Sequence, residues 1–455
     1  MARTVNNELR KRWLRLFTVI APVLLLWGIP EVVVRRANPM LQQYRAIFFG
    51  SDPNSPLLFM QDPGLHWKLR PDVNVGFLGV QARTNTDGFR GHELGRRRRN
   101  ILCLGDSATF GWRVGESECY PAILENLLGE PPSGEKPWQV INAGVPGYSS
   151  YQMKLRAREL LRKWQPEVVV VCIGNNEAWP AEQSDRAIGE SRRWPIRLER
   201  LLSFSRFAVW LKETLNPQSE KPFIAESLLG ASQRVSAAEY ADNVRELVRS
   251  ARRRRARVIV MEPPVNLYNP PFASQRLPGG ERWERWCRDA AKLVDAGSID
   301  AAMNAVEAEL KTQPRNVYAL WMKGYAMTKA GRIREGREFL EQALEAHPFP
   351  ESCRRSYREV LSAVAGEERA DYLPVNELFL ASGLKEGAPS RLYLDHCHPT
   401  PAGHRLIAMA LRELIVPEGG ALSPPGVGAD GTTPDRIRPG SAGIRQTAAT
   451  RMPCG

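Results

Sequence analysis

Between residues 100 and 416 the chain alternates short apolar runs with longer amphipathic stretches. Asn100–Leu104, Gln139–Asn142, Glu167–Ile173, Arg257–Glu262 and Tyr372–Asn376 are aliphatic runs of strand length. They lack polar alternation, as strands buried on both faces of a parallel sheet do. Helical patterns lie between them. One opens with a capping box from Ser149 to Gln152. Another opens at Ser236 with Glu239, and then places Tyr240, Val244, Leu247, Val248 and Ala251 on one face. A last helix starts at Thr400 and Pro401. This alternation predicts an α/β fold with right-handed crossovers and helices on both faces of the sheet.

Other patterns flank and interrupt this body. Arg3, Arg10, Lys11, Arg12 and Arg15 precede the apolar run Leu16–Val34, which as a helix spans about 28 Å. With the basic residues ahead of it and no small-residue cleavage site behind, the run predicts an uncleaved anchor whose N-terminus stays inside. Ile196–Leu215 predicts an apolar-faced helix that shapes the pocket or packs in the core. Further on, Ala296-Gly297 recurs as Ala330-Gly331 and Pro314 as Pro348, both at a spacing of 34 residues. The expected organisation is therefore a cytoplasmic basic segment over 1–15, a transmembrane signal anchor over 16–34 and a β-rich juxtamembrane preface over 35–98. The α/β domain then runs over 99–285 and 351–416, split by an all-α insertion over 286–350. A Pro/Gly/Thr-rich disordered tail covers 417–455.

Composition changes this picture little. With 43% hydrophobic and 25% charged residues over 455 positions, two or three globular units are expected. The net charge of +13 gathers in arginine runs at Arg96–Arg99 and Arg252–Arg255. Aromatic residues are not interleaved with them, so a solvated or membrane-facing basic surface is expected and nucleic acid is not a partner. Cys103 and Cys172 fall inside strands, where cysteine acts as a small buried hydrophobe.

The chemistry lies in four blocks: GDS at Gly105–Ser107, NAGVPG at Asn142–Gly147, GNN at Gly174–Asn176 and DHCH at Asp395–His398. The first three follow apolar runs, so they stand at strand ends, where open α/β sheets bind ligands. Ser107 is the candidate nucleophile, His398 its base and Asp395 the group that orients the imidazole from within one helical turn. The N–H groups of Ser107 and Gly147 and the Asn175 amide are candidate oxyanion donors, with Gly144 and Asn176 as competitors. The alternative for DHCH is a metal cluster, but no CxxC or HExxH partner accompanies it, so neither a metal nor a cofactor is expected. His404 reads as a packing residue and Asp106 as a brace for the turn.

The four blocks in this order resemble the SGNH (GDSL-type) hydrolase superfamily. The resemblance assigns Ser107, Gly147, Asn175 and the Asp395/His398 pair. It departs in reading GDSA for GDSL and GNNE where GND is usual. It implies a three-layer α/β/α, flavodoxin-like parallel sheet and a serine esterase acting on short-chain O-acyl or acetyl esters, with an acylated glycan as substrate. RTNTDGFRGHE, ahead of the first block, resembles the lead-in of some membrane-anchored members. Trp286–Pro314 and Arg315–Pro348 resemble tetratricopeptide (TPR) repeats, which implies either a groove for a protein or peptide partner or a wall of the active-site cleft. Anchored as above, the catalytic body is expected outside the cytoplasm. An O-acyltransferase working on an envelope polysaccharide, and a binding scaffold with a vestigial hydrolase fold, stay open.

Overall fold

The computed structural model describes Thr18, residues 21–22 and 24–37, and residues 54–416 except 63, 96–97, 130–135, 192–204, 216–231, 272–279 and 386–388. Its centre is a sheet of five parallel strands: β1 (Arg99–Gly105), β2 (Trp138–Asn142), β3 (Val168–Cys172), β4 (Arg257–Met261) and β5 (Asp371–Leu373). The spatial order is β5-β4-β3-β1-β2. Every residue of β3, VVVVC, is buried. Each such valine contributes about 1.5–3 kcal/mol over an exposed one, so the central strand defines the core.

Ten helices matter to the argument: α1 (Tyr120–Leu128), α2 (Ser150–Trp164), α3 (Ala237–Arg252), α4 (Gly280–Asp295), α5 (Ile299–Thr312), α6 (Val317–Lys329), α7 (Ile333–Ala346), α8 (Arg355–Glu367), α9 (Val375–Lys385) and α10 (Pro401–Ile415). Leu102, Leu104, Val169, Val171, Val258 and Val260 face a core completed by α2, α3 and α8. Ile101, Cys103, Val168, Val170 and Ile259 face another built with α1, α9 and α10. The fold is therefore α/β with three layers. The capping box at Ser149 and the Ser236 and Thr400 caps form as the sequence predicts.

The strand expected over Tyr372–Asn376 ends at Leu373. Pro374 has no N–H to continue the ladder, and its carbonyl instead accepts from Leu378 N at 3.1 Å as α9 begins.

Helices α4–α7 enclose a core of their own, which includes Cys287, Val306, Trp321, Met322 and Leu340. Gly297 and Gly331, equivalent positions 34 residues apart, both turn the chain at φ 82°. The helix holding Trp286 already starts at Gly280, so the helical region begins ahead of residue 286. Short hairpins, Phe59–Asp62 with His66–Leu69 and Val73–Phe77 with Val80–Thr84, form the β-rich preface.

Among the described residues no helix is long and apolar enough to cross a membrane. The described part of the expected anchor is a π-turn, Leu24–Gly28, followed by an α-helix, Ile29–Ala37. Leu25, Leu26, Ile29, Val32 and Val33 are exposed on it. Glu31, which as a sequence interrupts the apolar run, accepts the N–H groups of Arg206 and Phe207 at 3.0 and 2.8 Å. It thereby caps helix Arg206–Leu215, the described part of the expected Ile196–Leu215 helix. Phe207 packs on Trp27, so this helix is tied to the N-terminal one. The first segment, 1–15, and the tail, 417–455, lie outside the described residues.

Candidate active site

The chain leaves β1 at Gly105 and turns at once into one helical turn, Ser107–Phe110. Gly105 has no alternative here: a Cβ would sit 2.0 Å from Thr109 Oγ1 and 2.6 Å from the Cys172 carbonyl. Asp106 caps the turn, its Oδ1 accepting from Ala108 N at 2.9 Å. It is fully buried, and desolvation raises its pKa above the ordinary carboxylate value against the opposing hydrogen bond from Ala108. Asp106 therefore braces the turn that carries Ser107.

Gly105 pairs with Cys172, so β1 and β3 end side by side. The strand order reverses between these two strands, and that crevice is where doubly wound sheets of order 2-1-3-4-5 bind ligands. Ser107 Oγ lies 2.8 Å from His398 Nε2, and His398 Nδ1 lies 2.8 Å from each Asp395 carboxylate oxygen. Burial works against ionisation of Asp395, but the hydrogen bond and charge of His398 and the charge of His396 win and hold the carboxyl well below its usual range. The pair is not set by a helical turn, as the spacing predicted. Asp395 Oδ1 accepts the N–H groups of Cys397 and His398 at 3.1 and 3.0 Å, which closes an Asx-type turn ahead of α10.

The competing oxyanion donors differ in what already occupies them. Gly144 N donates to Asn142 Oδ1 at 3.1 Å, whereas no acceptor faces Gly147 N among the described residues. Asn176 Nδ2 donates to Tyr148 O at 3.0 Å. Asn175 is buried, its Oδ1 accepts from Cys353 N at 3.0 Å, and its Nδ2 has no partner at hydrogen-bonding geometry. An unpaired buried amide is expensive unless a ligand oxygen completes it. The sequence named Asn175 but gave no sign of Cys353, which follows the helical insertion.

Residues 103–326 match the GDSL-like lipase/acylhydrolase family. Over 77 residues it is 35% identical to the thioesterase 1/protease 1/lysophospholipase L1 of Escherichia coli K12, a match spanning 17% of this chain and about a third (34%) of that relative. An acetylxylan esterase from Geobacillus stearothermophilus superimposes with a TM-score of 0.34 at 17% identity, over 69% of this chain and 92% of that one. A lipase/acylhydrolase from Enterococcus faecalis gives 0.34 at 12% identity, over 70% and 95%. The match to the family does not reach Asp395 and His398; the fold brings them to Ser107.

Several supports of this site were not legible as chemistry. Arg90, from the lead-in, is buried and donates to the carbonyls of Phe110, Gly111 and Val114, at 2.8 Å to the first and 2.6 Å to the last. It thus holds the end of the turn that carries Ser107. Trp112 stacks on the His398 ring at 5.4 Å. Asn266, in the loop after β4, donates through Nδ2 to Asp395 O at 2.9 Å and through its backbone to His396 O at 2.8 Å. Trp67 of the preface donates to Pro146 O at 2.9 Å and so steadies the glycine block.

Metal-ligand types are also gathered here, the donor atoms of Asp395, His396, Cys397 and His398 lying within 4.8 Å of one another. Both His398 nitrogens are engaged by Ser107 and Asp395, and burial pushes the Cys397 thiol well up, away from the thiolate a metal needs. His404 is fully buried, accepts from Tyr120 N at 3.3 Å and has its pKa lowered to about 3 by desolvation, as a neutral packing residue does.

Proposed function

We propose that this protein is a serine esterase that hydrolyses short-chain O-acyl esters, acetyl groups on glycans in particular. The observation that carries the reading is the contact chain Asp395–His398–Ser107 beside the buried Asn175 amide. In the proposed reaction His398 Nε2 takes the Ser107 proton as Oγ bonds to the acyl carbon. The carbonyl oxygen becomes an oxyanion held by Asn175 Nδ2 and the N–H groups of Gly147 and Ser107. Collapse breaks the C–O bond to the alcohol, and the imidazolium returns the proton to the leaving oxygen. Water then adds to the acyl-enzyme by the same proton path, releasing the acid and restoring Ser107. Acyl-ester chemistry is also what the name of the Escherichia coli relative describes for that protein.

We further propose that Leu16–Val34 anchors the protein in a membrane with the catalytic body outside the cytoplasm, on the basic flank and apolar run of the sequence. The hairpins α4–α5 and α6–α7 are read as tetratricopeptide-like units that wall the catalytic cleft.

The deciding experiment is hydrolysis of 4-nitrophenyl acetate by the full chain in detergent beside its Ser107→Ala variant. Loss of activity in the variant supports the reading. Equal activity in both proteins would refute the assignment of Ser107. Transfer of acetyl to an added sugar in preference to water would turn the esterase into a transferase.

A further inference from the structure

Arg234 stands just ahead of α3, after a short strand, Ser232–Gln233, that pairs with Pro180–Ala181 downstream of the GNN block. Its backbone extends that pairing: Arg234 N donates to Trp179 O at 2.9 Å, and Val235 N to Glu177 O at 3.1 Å. The side chain turns to the glycine block instead. Nη1 donates to Gly147 O at 2.9 Å, and Nη2 to Oε1 of Gln152, in the capping box of α2, also at 2.9 Å. Asp185 meets the same guanidinium with both oxygens, accepting from Nε at 3.1 Å and from Nη2 at 2.9 Å. We propose that Arg234 is a positioning residue of the oxyanion hole, which clamps the Gly147 peptide and sets its spacing from Asn175. The inference rests on the esterase reading of Ser107.

The two peptide units that meet at Gly147 are held separately. Gly147 has φ 78°, a conformation that strains any residue with a side chain. Its N–H belongs to the unit whose carbonyl is Pro146 O, and that oxygen accepts from Trp67 Nε1 at 2.9 Å. In a planar trans peptide the N–H points opposite to the C=O, so Trp67 behind the carbonyl directs the N–H away from itself. The same bond polarises the unit and makes the N–H a stronger donor. Arg234 holds the next unit through Gly147 O. Rotation of either unit about the Gly147 Cα therefore breaks one of these two bonds. The two holders also support each other, the guanidinium lying over the Trp67 ring at 5.9 Å.

This restraint bears on catalysis because an oxyanion donor works within a narrow range, about 2.7–3.1 Å from the developing charge. Glycine is the residue least able to keep such a position unaided. The Arg234 and Asp185 side chains are only 17% and 6% exposed, so water competes weakly for their bonds. Because the backbone of Arg234 is bonded to the stretch that leaves Asn175, one residue joins the two donors. A planar fork is needed for this: one guanidinium serves Asp185, Gly147 and Gln152 at once, which a lysine ammonium on its single tip does not.

The test uses the full chain in detergent. Arg234→Lys keeps the charge and the aliphatic stem but loses the fork. It should lower kcat on 4-nitrophenyl acetate by about 10–100-fold, the scale of a donor displaced by up to 1 Å, with KM within twofold of wild type. Phenylboronic acid reports on the same geometry without turnover: Ser107 Oγ bonds to boron, His398 takes the proton, and a boronate oxygen occupies the oxyanion position. Its affinity, read by calorimetry, should fall by the same factor as kcat. Asp185→Asn leaves Arg234 in place but loosens it, and should show the same pattern at smaller size; it carries the test if Arg234→Lys does not fold. A residue that served only folding would lower the melting temperature and leave kcat per folded molecule and boronate affinity within twofold of wild type. That result, or a loss confined to KM, overturns the proposal. Ser107→Ala tests the esterase reading by itself. A wild type without activity, or activity that survives in Ser107→Ala, fails that reading and the clamp with it, whereas a wild type that passes beside unaffected Arg234 and Asp185 variants fails the clamp alone.

Discussion

Cys353 N donates to Asn175 Oδ1 at 3.0 Å across 178 residues of sequence, so the amide of the third block is oriented by the segment leaving the helical insertion. With its oxygen engaged, Asn175 can offer only Nδ2 to a substrate. Asn175→Ala should therefore lower kcat on 4-nitrophenyl acetate by about 10²–10³-fold, the usual effect of removing one oxyanion donor, with KM little changed. Asn176 donates to Tyr148 O instead. Asn176→Ala should show mainly as a lower melting temperature, by about 1–3 kcal/mol for the carbonyl left unpaired. Equal kcat losses in the two variants would reverse the assignment.

The Asp395–His398 pair makes a prediction about acid. The folded carboxyl titrates below its ordinary value of 3.8, with burial opposing and His398 prevailing. The unfolded chain therefore binds the more protons as pH falls, and the contribution of Asp395 to stability, present above about pH 4, fades as the pH drops through the folded value. Denaturant titrations of wild type and Asp395→Asn should differ most above about pH 5, and the gap should narrow steadily as the pH falls below 4. A constant gap would mean that the carboxylate is not specially stabilised.

How far the sequence could be read depends on the range of the interactions. β1–β4 and the Ser149, Ser236 and Thr400 caps follow from local patterns, and their residues sit as expected. Ser107, His398 and Asp395 were legible because each stands in a short block next to a strand or helix end. Cys353, Asn266 and Trp112 were not: each acts through its own backbone, on a backbone carbonyl, or through a ring face, contacts that leave no pattern in residue types. The β5 boundary was misplaced because Val375 suits the end of a strand as well as the start of α9, and Pro374 decides between them. Glu31 was read as weakening an apolar helix, whereas its partners are Arg206 and Phe207, far along the chain.

Glu177, next to the GNN block, carries a second pH prediction of opposite sign. It is fully buried, accepts from Ser150 N at 2.6 Å and Asn176 N at 3.1 Å, and desolvation pushes its pKa up to about 7 from 4.5. Between those values the folded state holds the extra proton, so stability falls as pH rises through the window, by an amount on the order of 3 kcal/mol. Glu177→Gln has no charge to desolvate. Its stability relative to wild type should improve from pH 5 to pH 8, and a flat difference across that range would show that Glu177 titrates normally.

The joint between the insertion and the sheet rests on Arg358, and it can be broken by one substitution and mended by another. Arg358 on α8 is buried and pairs with Glu341 of α7, itself 3% exposed, and with Glu262 beyond β4 at 3.5 Å. Glu262 in turn accepts from Asn376 N at 3.1 Å, which ties the start of α9 to the same knot. Arg358→Leu leaves Glu262 without its arginine and Glu341 with only the longer contacts to Arg337 at 4.0 Å and Arg355 at 3.9 Å, and removing one partner of a buried pair costs about 3–5 kcal/mol. Glu341→Leu in the same chain removes one of those charges and fills the space with apolar atoms, so the double variant should recover more than half of the loss. Denaturant unfolding of the four proteins in the cycle measures the coupling. Additive losses would mean that Arg358 and Glu341 act independently, and that the joint does not rest on this pair.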